Sequence, residues 1–257
     1  MNKSDLSITN ESVAKVSAEG IYYRDLNAVL RDLVSSGVKK IELHDVCGQR
    51  YIGTDLDRDV EIEIFGTPGN DLGAFMDGPR IVVRGNAQDG CANTMNEGSI
   101  IVHGHAGDIT GFSMRGGKVF VRDDVGYRVG IHMKEYLSKK PCLVIGGTAQ
   151  DFLGEYMAGG ILVVLGLGLK NGEGHRANFI GTGMHAGVMY IRGRIEPYQL
   201  GREVGIVDLD QQDKDVLRGL VGEFCSHFGH DQDEILAGEF VKLLPLSLRP
   251  YGRLYAY

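Results

Sequence analysis

The side chains that could do chemistry are scattered along the chain. Four cysteines, Cys47, Cys91, Cys142 and Cys225, lie far apart with no CxxC pair, so neither a zinc ribbon nor a dense disulfide framework is readable, and the reduced thiols of a cytoplasm fit best. His103 and His105 are close neighbours, His132 and His185 flank methionines, and His227 and His230 stand three apart in a predicted helix. An i,i+3 imidazole pair can bind metal, but spacing supplies no third ligand, and a solvated helix end accounts for the pair equally well. Val164-Leu165-Gly166-Leu167-Gly168-Leu169 opens like a dinucleotide fingerprint. A Rossmann loop must lead into a helix, however, and the helix-breaking Asn171-Gly172-Glu173-Gly174 follows instead. Gly111 to Lys118 resembles a P-loop with one residue too many before the lysine, and Val119 stands where a magnesium-binding Ser/Thr belongs. Asp89, Asp108 and Asp151 each follow a repeat position and read as corner caps before they read as catalysts. No nucleophile, base and orienter can be assembled, so the sequence nominates no catalytic residue, no cofactor-binding residue and no metal ligand.

What the sequence does specify is the scaffold. The 257 residues carry 27 Lys+Arg against 34 Asp+Glu, a formal charge of -7, which argues against nucleic acid and anionic membranes as partners. Met1 to Val13 is polar and lacks the apolar core of a secretion signal, and the longest apolar run, Ile161 to Leu169, is too short to span a bilayer. Glycine is the anomaly: of 38 in the chain, 30 fall between Gly53 and Gly205, with only 6 prolines overall. That distribution divides the chain into a lead-in over 1–56, a glycine-rich body over 57–197 and a tail over 198–257.

Methionine exposes the repeat within the body. Met76, Met95, Met114, Met133, Met157 and Met184 are separated by 19, 19, 19, 24 and 27 residues. Short apolar runs recur in step with them: Glu61–Phe65, Arg80–Arg84, Ser99–His103, Lys118–Arg122, Pro141–Ile145, Ile161–Leu165 and Val188–Arg192. In each, the second and fourth residues are predicted to point inward, the fourth being Ile64, Val83, Val102, Val121, Val144, Val164 and Ile191. Gly66-x-x-Gly69-x-x-x-Gly73 and Gly104-x-x-Gly107-x-x-x-Gly111 mark corners from which the chain is expected to turn into a further short strand. Identical strands every 19 residues without a helical period predict a mainly β fold. The expected architecture is a right-handed parallel β-helix of about seven coils, roughly 29 Å long at about 4.8 Å per coil, its core filled by the methionine ladder.

The flanks differ. Leu26, Val29, Leu30 and Leu33 predict a helix over Tyr23–Ser36, followed by a strand at Lys39–His44, an α/β lead-in that would cap the solenoid. Val216, Leu217, Leu220, Val221 and Phe224 predict a second helix, Asp231 to Leu244 a third, and the aromatic-basic end Leu246–Tyr257 is expected to pack on something. The outward third residues of the strands read Glu63, Val82, Ile101, Phe120, Leu143, Val163 and Tyr190, an apolar row that must be covered, by the flanking helices or by a partner.

These repeats, with Arg50–Thr54, Gly73-Ala74-Phe75, Tyr156–Gly166 and Gly183–Gly187, resemble the C-terminal β-helical domain of glutamate synthase large subunits, over a match from about Arg50 to Gly193. The repeat is shared with the C subunit of formylmethanofuran dehydrogenase, while the stretch around Met157 and the long loop before Met184 are closer to the glutamate synthase version. The resemblance implies a non-catalytic structural subunit of a split glutamate synthase-type complex, which converts glutamine and 2-oxoglutarate to glutamate, with the C subunit of a formylmethanofuran dehydrogenase-like or methylglutamate synthase-like complex as the alternative. It implies FMN and iron–sulfur clusters in partner subunits and none in this chain. The implied partners are a flavin-barrel synthase subunit and a glutamine amidotransferase subunit, with self-association of the chain as a further expectation. The opening Met1-Asn2-Lys3 lacks an amidotransferase's N-terminal cysteine. A free-standing carbohydrate-active β-helix is the competing enzyme reading, disfavoured by the absence of Trp as a stacking platform.

Overall fold

Apolar runs too short for helices, rich in β-branched residues and bounded by glycine, can satisfy their backbone groups only by pairing with one another. They do so in register. The computed structural model describes residues 6–10, 13–170 and 173–246. It is mainly β, with a β-solenoid of about six turns and few helices. The ladder runs β2 (Val13–Ser17), β3 (Lys40–Cys47), β4 (Glu61–Thr67), β5 (Asp77–Val83), β6 (Glu97–Val102), β7 (Lys118–Val121), β8 (Cys142–Ile145), β9 (Ala158–Val164) and β10 (Ala186–Arg192), each parallel to the next. β1 (Leu6–Asn10) pairs antiparallel with β2 at one end. At the other, β12 (Phe240–Pro245) lies antiparallel on β10, with β11 (Val204–Val207) outside it.

The second and fourth residues of the runs face a single core: Ile62/Ile64, Ile81/Val83, Ile100/Val102, Val119/Val121, Leu162/Val164 and Met189/Ile191. One coil departs from the expectation. In β8 the inward pair is Leu143/Ile145, not Cys142/Val144, and the outward residue is Val144 rather than Leu143. Pro141 has no N–H, so the first donor to the ladder is Cys142, to Gly117 O at 3.0 Å, and the run shifts by one residue. The six ladder methionines are fully buried, as core filling requires.

After each corner comes not a second strand but an unusual segment. Residues at alternating positions adopt left-handed backbone, for instance Asp71, Gly73 and Phe75 (φ 63°, 65° and 58°) and Arg128, Gly130 and His132 (φ 56°, 71° and 56°). The alternation aims successive N–H groups at opposite neighbours: Gly73 donates back to Ile52 O at 2.8 Å, while Asp71 and Phe75 donate forward to Asp89 O and Asn93 O, both at 2.9 Å. The glycine sits centrally because a side chain there would strike Ile100 of the core. We call this the left-handed ladder.

Helix α1 (Tyr23–Ser35) buries Leu26, Leu30, Leu33 and Val34 in the same core. Helix α2 (Gln211–Phe228) begins at Asp210, whose side chain accepts from Asp213 N at 2.9 Å while Asp213 accepts from Asp210 N at 2.7 Å, and it ends at the left-handed Gly229 (φ 77°). The helix expected over Asp231 to Leu244 is instead a short helix α3 (Gln232–Leu236) followed by β12. The cause is tertiary. β10 offers an open edge, and Gly238, packed against the Arg192 guanidinium, lets the chain turn onto it. The tail from Ser247 on, the Met1–Lys3 terminus and Asn171-Gly172 lie outside the described residues.

Candidate functional site

A solenoid coil presents side chains inward to its core or outward to whatever surrounds it, so any site must lie on an outward face. The strand face carries Val82, Ile101, Phe120, Val144, Val163 and Tyr190, and α2 lies across it, burying Leu217, Leu220, Val221 and Phe224 against the row. Phe120 is fully buried, with the His227 ring edge-on at 4.9 Å. The flanking helix, not a partner, therefore covers the row.

At its polar end Tyr190 Oη donates to Asp213 Oδ1 at 2.6 Å, and Lys242 Nζ donates to Asp213 Oδ2 at 2.6 Å. Burial and the neighbouring carboxylate hold the Tyr190 phenol above its usual range. Burial works to raise the Asp213 pKa, but the Lys242 ammonium and Tyr190 hydroxyl outweigh it and hold the carboxyl below its usual range. The trio joins α2 to β10 and β12, a buried polar clasp that apolar periodicity could not reveal. Its one signal in the sequence is a hydroxyl-bearing tyrosine ending an otherwise hydrocarbon row.

The residues singled out from the sequence take structural places. Asp89 Oδ1 accepts from Asp108 N at 2.9 Å, Asp108 Oδ1 from Tyr127 N at 2.8 Å and Asp151 Oδ1 from Asn178 N at 2.8 Å, each carboxylate bridging to the next coil. They are corner caps. The P-loop-like stretch is one rung of the left-handed ladder, with Gly111 N on Cys91 O at 2.7 Å. Gly166 turns at φ 57° against the His175 ring, and the described residues from Leu167 to Phe179 form no helix. His227 and His230 part company, the first on Phe120 and the second stacked on Phe224 at 5.7 Å. Burial pushes the Cys91 thiol up to about 12 and Cys142 to about 11, far from nucleophilic. Among the described residues no three His, Cys, Asp or Glu side chains converge as a metal site. A cleft of ≈ 460 Å³ beside β10 contains Lys170, Arg192 and Arg194, but Arg192 donates to Ile235 O at 3.0 Å and Arg194 pairs with Glu196 at 2.5 Å.

The motif glycines thus stand where neighbouring coils touch. A Cβ at Gly66 would meet the Val46 carbonyl, one at Gly69 the Gly48 carbonyl, and one at Gly146 the Arg122 carbonyl. The GXGXG motif family matches residues 38–246. The chain belongs to this family. It is the family of the glutamate synthase C-terminal domain, and the match runs from β3 to just past β12, further than the motif residues alone indicate. The chain is also 49% identical over 248 residues to the uncharacterized protein MJ1350 of Methanocaldococcus jannaschii, covering 93% of this chain and 95% of that protein. No helix among the described residues of this GXGXG protein is long and apolar enough to cross a membrane.

The second outward face, over the left-handed ladder, is open. Phe152 and Phe179 stack at 4.9 Å, the Arg128 guanidinium lies 4.5 Å over the Phe152 ring and pairs with Glu155, and His132 stacks on Tyr156 at 5.3 Å. Sequence reasoning missed this face, because non-glycine residues such as Arg128, His132, Phe152 and Tyr156 take left-handed backbone there, which their residue types do not announce.

Proposed function

We propose that the chain is a non-catalytic structural subunit of a split glutamate synthase-type complex, bracing subunits that convert glutamine and 2-oxoglutarate to glutamate in the cytoplasm. The observation that carries this reading is GXGXG family membership over most of the chain, joined to the use of the motif glycines in coil-to-coil packing. In this reading FMN and iron–sulfur clusters belong to a flavin-barrel synthase subunit and glutamine hydrolysis to an amidotransferase subunit. The residues present do not fit those groups: the thiols of Cys91 and Cys142 are buried in different coils, and the glycine corners are filled by neighbouring carbonyls. The reading also takes the solenoid as a right-handed parallel β-helix of about seven coils, the hand favoured for parallel crossovers, with α1 as cap at one end and the α2–β12 segment closing the other.

Affinity purification of the tagged chain from its native cells tests the proposal. Mass spectrometry is expected to recover both partner subunits, and glutamine-dependent glutamate formation by that preparation should fall when the chain is depleted. Recovery of unrelated partners alone refutes it.

A further inference from the structure

The left-handed ladder offers seven equivalent outward segments, each seven residues long, and the charges of the first five are sorted along the solenoid. Segments 51–57 and 71–77 contain Asp55, Asp57, Asp71 and Asp77 and no basic residue. Segment 90–96 is uncharged. Segments 109–115 and 128–134 contain Arg115, Arg128 and Lys134, with His132, and no acidic residue. The stacked hydrogen bonds place these segments directly over one another, Asp71 N on Asp89 O, Ile109 N on Tyr127 O and Arg128 N on Asp151 O, so the sequence order is also the order along the face. The face is apolar as well as sorted: Tyr51, Phe75, Tyr156 and Phe179 are 38%, 51%, 45% and 52% exposed.

We propose that this face binds a second copy of the same chain in an antiparallel, two-fold arrangement centred on the neutral segment 90–96. A two-fold axis lying in the contact plane and across the solenoid reverses the order of segments while keeping each column opposite itself. Segment 51–57 then meets the partner's segment 128–134, four coil steps or about 19 Å away along its own face, and segment 71–77 meets 109–115. Asp77 and Arg128 are already paired within the chain, with Lys139 and Glu155, so the charges left to the contact are Asp55 and Asp57, which lie opposite His132 and Lys134 on both sides of the axis. The small Asn93 and Thr94 occupy the centre. The same operation carries the aromatic segment 152–158 to the end of the partner's solenoid where Tyr22, Tyr23 and Tyr51 cluster, with ring centroids at 4.6 and 5.8 Å, so aromatic surface meets aromatic surface. A parallel arrangement would set acid on acid and is excluded by the same sorting. The sorting also selects a second copy over an unrelated protein, since a single face supplies both halves of the complementarity.

Sedimentation equilibrium of the purified full chain, at low and high salt, tests this. A dimer that weakens with salt is expected. Because each contact occurs twice, Lys134→Glu or Asp57→Lys alone should raise the dimer dissociation constant by at least about tenfold. The double variant Asp57→Lys/Lys134→Glu should restore it, which a folding defect could not do. A chain monomeric at every attainable concentration, a dimer indifferent to both single reversals, or a double variant weaker than either would each overturn the proposal.

Discussion

The two outward faces of this solenoid solve the same problem in opposite ways. The strand face is apolar and flat, and the chain covers it with its own helix α2, Phe120 and Phe224 becoming two of the largest fully buried side chains among the described residues. The face of the left-handed ladder is aromatic and charged, and no described helix lies across it, α1 touching only its first segment through Tyr23 and Tyr51. Two reasons are visible. Strand side chains stand in straight columns at one coil spacing, a surface that the ridges of an amphipathic helix can fill. The ladder instead alternates exposed rings with backbone in left-handed conformation, and its charges would be costly to bury under a helix of the same chain. A covered face contributes stability; an open face with sorted charge contributes recognition. Single substitutions on each face test that distinction.

The largest contrast comes from placing one charge on each face. Phe120→Asp puts an unpaired carboxylate beneath α2 and should cost several kcal/mol, roughly 3–5, with early melting and loss of the helical signal at 222 nm. Phe75→Asp on the open ladder introduces the same charge at φ 58°, a conformation that Asp adopts more readily than Phe, and should move stability by less than about 0.5 kcal/mol in dilute solution. Equal melting of the two variants would remove the distinction between the faces.

Next in size is the coil contact. At Gly66 (φ 128°) a methyl group would strike the Val46 carbonyl, so Gly66→Ala should cost more than about 2 kcal/mol through strain and parted coils. Gly168 has nothing within 4 Å of such a methyl group, and Gly168→Ala should be neutral in urea unfolding. The pair separates the family's glycines into those that hold coils together and those that do not.

Smaller again is the clasp that holds α2 in place. Tyr190→Phe removes the hydroxyl from Asp213 but leaves Lys242 to neutralise the carboxylate, so a loss of about 1–2 kcal/mol is expected in urea unfolding. Lys242→Met should cost more than Tyr190→Phe, because it leaves that charge buried without its ion pair. The opposite ranking would mean that the hydroxyl, not the ammonium, holds the helix.

Much of this architecture is legible in the sequence, and the reasons for the rest are specific. Met76 to Met184 and the β-branched fourth residues read directly because a solenoid copies one coil, so each position is measured several times. The expected register of β8 differs from the observed one by one residue because Pro141, apolar and suitably placed, resembles a strand residue until its missing N–H is counted. The sequence of β12 carries a helical pattern, because Phe240 to Leu244 acquires strand character only from the open edge of β10, which no local pattern records. The left-handed ladder was hidden for a different reason. Non-glycine residues such as Asp71, Phe75, Arg128 and His132 adopt positive φ there, held by coil-to-coil hydrogen bonds rather than by their own preference. The charge-sorted face built on it was therefore not visible until the segments were seen stacked.

The smallest expected effect concerns acid, and it belongs to the covered face. His103 and His227 lie where α2 ends on the strands, His103 against Phe228 at 5.1 Å and His227 against Phe120, with His227 Nε2 buried and without a hydrogen-bond partner. Burial depresses the pKa of both. The Arg84 and Arg122 guanidiniums and His227 add to the effect at His103, against Glu63; Arg80 and Lys118 add to it at His227, against Glu223. A histidine whose folded pKa lies below its unfolded one, about 6.5, binds protons more readily when unfolded, so stability rises with pH through that window. The contribution is complete above about pH 7, begins to fall as pH drops through about 6.5 and levels off below the folded values. It is distinct from the later loss at Glu63, Asp123 and Asp213, whose depressed carboxyl pKa values withdraw stability only below about pH 4. Urea midpoints measured between pH 8 and pH 5 should therefore decline for the native chain and decline less for His227→Phe, which keeps the ring packing on Phe120 but cannot take up a proton. An identical decline in that variant would place the acid sensitivity elsewhere and detach it from the docking of α2.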